Sequence, residues 1–229
     1  MRILSNNEWD PLKSIIVGDA TNANWPVNCP DFRKQQETTL WKETPVPSGP
    51  VSQQIIDEAN EDLQYLADFL TSVGITVYRP GEIDFQARDG FYNYCPRDRL
   101  LVVGDNIIDA PMAYACRDQE RQAYNFLPDD WIKPLGRWDA ANVCRLNDDL
   151  LYLKSESGDL AGYKWLRDYF PRKRVHLVEC YSGVHIDSTI SPVREGLVVL
   201  NGTRINEDNM PEPFKNWDKK SLKNSEYIA

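Results

Sequence analysis

The stretch Asn142-Val143-Cys144-Arg145-Leu146, followed by Asn147-Asp148-Asp149 and then Leu150-Leu151-Tyr152-Leu153, decides the fold. Two short apolar runs flank a turn rich in Asn and Asp, which is the signature of a β-hairpin. Beyond it a helix is predicted over residues 159–169, stopped by Pro171, and a strand over 175–178. The same order of hairpin, helix and strand recurs on either side. Residues 100–103 and 107–108 flank Gly104-Asp105-Asn106, with a helix predicted over 113–126. Residues 186–191 and 197–200 flank a turn over 192–196, ahead of an acidic, Pro-broken segment at 206–213. Toward the N-terminus a buried strand is predicted over 12–18, then a long irregular stretch through Pro26, Pro30, Pro45, Pro47 and Pro50. A helix over 52–73 follows, with Ser52 as N-cap, Gly74 as stop and Ile55, Ile56, Ala59, Leu63, Leu66, Ala67 and Leu70 at helical spacing. A strand over 75–78 completes that unit. A unit recurring roughly every 45 residues predicts an α/β repeat architecture, and periodicity alone leaves a solenoid or a radial arrangement open.

Composition narrows the function. The 229 residues carry 26 basic and 35 acidic side chains, a formal charge of −9, which disfavours nucleic acid as a partner. With 41% hydrophobic residues, 7 Trp and 11 Tyr, the chain can fill a core, and one domain over 1–229 is expected. The longest apolar runs, at 15–17 and 197–200, fall far short of the ~20 residues that a membrane helix needs. The first residues carry no apolar signal core, and the expectation is a cytoplasmic protein without membrane contact. Five widely spaced cysteines (Cys29, Cys95, Cys116, Cys144, Cys180) and only two histidines, His176 and His185, give no disulfide framework or metal-ligand spacing. Neither a metal nor a cofactor is expected, so the chemistry falls to carboxylates, one His or a thiol.

Three acidic clusters are the candidate chemistry. Around Cys95-Pro96-Arg97-Asp98 the simpler reading is a Pro turn with a solvated Arg–Asp pair. Around Trp138-Asp139-Ala140-Ala141-Asn142 it is Asp139 acting as a cap. In Val184-His185-Ile186-Asp187-Ser188-Thr189 an alternating strand is predicted, placing His185 and Asp187 on one face, where a His and an Asp together suit proton transfer. His176 reads as a packed ring, and Asn201-Gly202-Thr203 as a turn rather than a glycosylation site.

Glu8-Trp9-Asp10-Pro11-Leu12 with Ile15-Ile16-Val17-Gly18, then Cys95-Pro96-Arg97-Asp98, Val102-Val103-Gly104, Ala110-Pro111-Met112, Asp139-Ala140-Ala141 and His185-Ile186-Asp187 resemble, in that order, the arginine:glycine amidinotransferase family. The resemblance covers nearly the whole chain from residue 8. It implies the pentein-type α/β propeller, with four of five ββαβ modules in this chain. It also implies that Asp139 and His185 are catalytic and that Asp98 and Asp187 hold the substrate guanidinium. Arg204 is implied to meet a substrate carboxylate, and Asn224 and Ser225 to be substrate-contacting. These residue types suit the substrate, because a planar, permanently charged guanidinium is matched by carboxylates and a carboxylate tail by Arg.

In the family a Cys thiolate attacks the guanidinium carbon and the His moves protons between the departing and arriving amines. Two positions depart from the pattern. Asn142 stands where the family usually has a second Asp, and none of the five cysteines matches the nucleophile, which leads to the expectation of a chain incomplete at its C-terminus. The implied activity is transfer of the amidino group of arginine to an amine such as glycine, giving guanidinoacetate as in creatine biosynthesis, without cofactor. A guanidine-hydrolysing deiminase-type enzyme and an inactive fragment that only binds guanidino ligands are the alternatives. Small guanidino and amino-acid substrates, and a homodimer or a complementing C-terminal polypeptide, are the expected partners.

Overall fold

The computed structural model describes residues 3–181, 183 and 185–222. The chain divides into two compact units, each discontinuous in sequence. An α-rich unit comprises Leu12–Arg99 and Tyr114–Asp129, and a hairpin unit takes the other described residues.

In the α-rich unit, β1 (Ser14–Ile16) and β2 (Asn24–Trp25) precede α1 (Pro30–Thr39), β3 (Gly49–Pro50), α2 (Gln53–Ser72), β4 (Thr76–Tyr78) and the single turn α3 (Pro96–Arg99). The helix α2 buries Ile56, Leu63 and Ala67 on one face and returns the chain so that β4 runs parallel to β1. Two expectations change here. The buried strand over 12–18 is only three residues long and half-exposed, with Val17 just beyond it carrying the burial. The Pro-rich stretch contains α1, which its prolines do not oppose because Pro30 occupies the first helical turn, where no N–H is needed. That helix is polar along most of its length and shows no apolar period. Its anchor is Phe32, packed on Phe91 at 4.7 Å and Tyr114 at 5.7 Å between ring centroids.

The hairpin unit repeats one plan. Strands β5 (Leu100–Val103) and β6 (Asn106–Asp109), β7 (Val143–Leu146) and β8 (Asp149–Leu153), and β10 (Ile190–Arg194) and β11 (Leu197–Asn201) form three antiparallel hairpins. Each closes through a two-residue loop holding one residue at positive φ, namely Gly104, Asn147 or Gly196. Such loops follow the right-handed twist of the strands, and only Gly or Asn tolerates the position cheaply. After the second hairpin α4 (Leu160–Tyr169) leads to β9 (Arg174–Val178), parallel to β8. After the third, a 3-10 turn at Glu212–Phe214 leads to β12 (Asp218–Leu222), parallel to β11. After the first, the added strand shrinks to one parallel bridge, Ile108 to Ile132.

Strand β8 divides the core of this unit. Leu150 and Tyr152 face one apolar cluster with Leu101, Ile108, Met112, Trp138 and Leu166. Leu151 and Leu153 face another with Ile186, Ile190, Val198, Leu200 and Phe214. All four β8 side chains are fully buried, as the period-two rule requires of a strand covered on both faces. Asp159 caps α4, accepting from the Gly162 N–H at 2.8 Å, and its carbonyl accepts from the Tyr152 hydroxyl at 2.7 Å. No helix among the described residues is long and apolar enough to cross a membrane.

Gly162 sits where α4 meets Trp138. A β-carbon there would press on the indole and lie 2.6 Å from the Tyr152 hydroxyl. Gly162→Ala is therefore expected to lower the melting temperature by several degrees. Alanine gains up to ~1 kcal/mol of helix propensity, but overpacking a rigid indole costs about 1–3 kcal/mol. A melting temperature equal to or above that of the unchanged protein would contradict this packing.

Candidate active site

Asp139 and His185 belong to the hairpin unit and come together. Asp139 precedes a short 3-10 turn, Ala140–Asn142, whose alanines are fully buried beside Trp138. It makes no cap bond with its side chain, contrary to the simple reading of that cluster. Its Oδ1 instead accepts from the Ala113 N–H at 2.9 Å, and its Oδ2 lies 3.1 Å from His185 Nε2. The carboxylate is almost wholly removed from solvent, while the imidazole keeps some exposure. A buried carboxylate fixed on both oxygens orients the ring.

The predicted strand through His185 does not form, because residues 186–189 make a turn. The Ile186 carbonyl accepts from the N–H groups of Thr189 and Ile190, closing the chain on itself. Ile186 is fully buried, and its N–H bonds the Ala141 carbonyl at 3.1 Å, which brings His185 beside Asp139. A lone buried Ile between polar residues produces an alternating pattern in a turn as well as in a strand. Asp187 is exposed on that turn, two residues from His185, and does not owe its position to a shared strand face.

Asn142 has a specific task. Its side-chain amide donates to the Ser157 carbonyl at 2.6 Å and the Ser157 hydroxyl at 3.0 Å, and the Asp139 N–H bonds the same carbonyl at 2.9 Å. A carboxylate could not donate to that carbonyl, so this architecture calls for Asn. Arg204 donates to Thr189 Oγ1 at 2.8 Å and Ser188 Oγ at 3.3 Å and lies over the Tyr181 ring at 5.7 Å. Tyr181, which sequence reasoning missed, thus orients the arginine assigned to a substrate carboxylate. Asn224 and Ser225 lie outside the described residues. His176, read as a packed ring, is half-buried on β9 with its Nε2 2.6 Å from Asp149 Oδ1. Burial pushes the Asp149 carboxyl up, but hydrogen bonds from Arg174 and His176 outweigh it and hold the group below its ordinary value.

Asp98 belongs to the α-rich unit and is not the solvated half of a surface pair. It is buried, and its Oδ2 accepts from Arg117 Nη1 at 2.8 Å. Arg117 also forks onto Glu120, Nε to Oε1 at 2.6 Å and Nη2 to Oε2 at 3.0 Å. These residues lie on a 3-10 segment, Ala115–Tyr124, where an α-helix was predicted, and 3-10 geometry eclipses positions i and i+3. Burial drives the Glu120 carboxyl up to about 7 despite the Arg117 charge. Arg117 and Glu120 carried no sequence signal beyond a charged run that reads as a solvated helix face. The cysteines here are poorly set to ionise: burial, and then the Asp98 charge, push Cys95 up to about 12, and burial pushes Cys116 up as well.

No family model matches the chain. Inosamine-phosphate amidinotransferase 1 of Streptomyces glaucescens is 37% identical over 93% of this chain and 73% of its own length. The chain belongs to the amidinotransferase family. The mitochondrial glycine amidinotransferase of Xenopus tropicalis is 27% identical over 88% of this chain and 61% of its own length. Among solved structures, the inosamine-phosphate amidinotransferase of Streptomyces griseus superposes with a TM-score of 0.89 at 35% identity, covering 96% of this chain and 76% of that one. DDAH from Pseudomonas aeruginosa superposes at 0.64 with 12% identity, over 93% of this chain and 77% of that one, which speaks for the fold alone. The architecture is the pentein α/β propeller class, and the protein is an enzyme of the transferase type acting on small molecules.

The raised carboxyl of Glu120 fixes the sign of a pH effect. Its contribution to stability is complete below about 4.5, where the acid is neutral folded or unfolded, and is lost as pH rises through about 7. Glu120→Gln mimics the neutral acid and lacks that loss. The melting temperature of the variant minus that of the unchanged protein should therefore grow by several degrees between pH 5 and pH 8, by differential scanning calorimetry. A difference that stays flat or shrinks would contradict the burial of an ionisable carboxyl here.

Proposed function

We propose that this amidinotransferase takes the amidino group of arginine or an arginine-like donor and works in its transfer to a primary amine, with an inosamine phosphate favoured over glycine as acceptor. The observation that carries the reading is the hydrogen bond between His185 and the buried Asp139. A departing amine must gain a proton and an arriving ammonium must lose one, and a single imidazole held by a carboxylate serves both steps. Asp98 and Asp187 hold the donor guanidinium by charge-assisted hydrogen bonds, and Arg204, braced by Thr189 and Tyr181, takes its carboxylate. The acceptor preference is supported by 37% identity to an inosamine-phosphate enzyme against 27% to a glycine enzyme. The attacking group in the family is a thiolate, and Cys95 and Cys116 lie in surroundings that disfavour one.

Calorimetry with arginine and with citrulline, its neutral analogue of the same shape, tests the recognition step. Arginine should bind at least tenfold more tightly, because carboxylates gain little from a neutral ureido group, and Asp187→Ala should remove on the order of 2 kcal/mol of that binding. Equal affinities for the two amino acids, or an unaffected Asp187 variant, would overturn this reading. Transfer and hydrolysis are separated by product: ornithine released only when an amine acceptor is present marks transfer, and citrulline marks hydrolysis.

A further inference from the structure

The cluster at Arg117 has more order than a structural ion pair needs. Arg117 gives both prongs of its fork to Glu120 and a single N–H to Asp98, at 2.8 Å. Its side chain is 5% exposed and that of Glu120 is 0% exposed. Its backbone is fixed too, since Arg99 Nη1 donates to the carbonyls of Arg117 and Asp118 at 3.2 Å each. The guanidinium also lies over the Tyr92 ring, 5.3 Å from its centroid. Burying three charges is costly, and well-packed apolar side chains would often be as stable or more so. An arrangement kept in this form suits a carboxylate that must stay aimed.

We propose that Arg117 is a positioning residue for substrate recognition: anchored on Glu120, it holds the Asp98 carboxylate in the orientation that accepts a guanidinium. The inference rests on the reading of Asp98 as a guanidinium ligand. Arg117 works through Asp98 and does not itself touch the donor. Its planar fork fixes where the Asp98 Oδ2 sits, which a freely rotating neutral partner could not do. Among the described residues, the other titratable groups facing the cluster include Tyr92, Cys95, Arg99, Cys116 and Tyr124.

The test is arginine affinity by calorimetry from pH 5.5 to pH 8.5 on the full chain and on three variants, D98N, R117Q and E120Q, with melting temperatures measured alongside. D98N decides the underlying reading: it should bind arginine at least tenfold more weakly at every pH, and normal binding by D98N would remove both the reading and the inference. R117Q should bind arginine at least tenfold more weakly across the range, because nothing then aims Asp98 at the donor. E120Q covers the case in which R117Q does not fold. It keeps the charge of Arg117 but loses the fork that anchors it, and above about pH 7, where Glu120 ionises, should bind arginine three- to tenfold more weakly while melting no lower than the unchanged protein. A purely structural role predicts the reverse, affinity following stability. Weak binding by D98N together with unchanged affinity and pH profile in E120Q, and in R117Q where it folds, would overturn the role given to Arg117 and leave that of Asp98 standing.

Discussion

A charged carboxylate buried beside an imidazole is the constraint around which the hairpin unit is arranged. Asp139 cannot be left unpaired in an apolar surrounding, because an unsatisfied buried charge costs several kcal/mol. Ala113, just past the end of β6, supplies one donor, and the loop after β9 supplies the imidazole. The hydrogen bond from Ile186 to Ala141 sets the spacing between the two segments, and the burial of Ile186 holds it there. Trp138, pinned by Gly162 of α4, closes the apolar side. Three repeats of one hairpin plan thus contribute different pieces to the Asp139–His185 pair.

The α-rich unit solves a similar problem with the opposite sign. There an arginine is buried, and two carboxylates and an aromatic face accommodate it. The 3-10 winding of Ala115–Tyr124 is what lets Arg117 and Glu120 face each other as a bidentate pair. Ion pairs of this kind add little net stability when desolvation is counted. Their value is in direction, which is what the role proposed for Asp98 requires.

The hairpins and α2 were legible in the sequence because turn chemistry and apolar period agree there, as at Asn147-Asp148 and at Ile56, Leu63 and Ala67. Polar elements were not legible. The helix α1 and the strand β12, Asp218-Lys219-Lys220-Ser221-Leu222, owe their form to neighbours, one to an aromatic cluster and the other to pairing with β11. At the site, the motifs named Asp139 and His185, but the reason given for His185 was wrong: a turn pinned by one Ile holds it, not a strand face. Arg117, Glu120 and Tyr181 were invisible because each acts through a contact with a residue distant in the chain or through a helical geometry that charge patterns do not reveal.

The two histidines provide the most direct test of the central claim, that arginine is bound where the His185–Asp139 pair can act on it. Both lie in the hairpin unit and both pair with an aspartate, His185 with Asp139 and His176 with Asp149, so each serves as the other's control. The measurement is a titration with arginine that follows the two imidazoles by nuclear magnetic resonance. The account predicts saturable shifts of the His185 ring with the His176 ring unmoved. Shifts confined to His176, equal in both rings or absent from both at saturating arginine would contradict it.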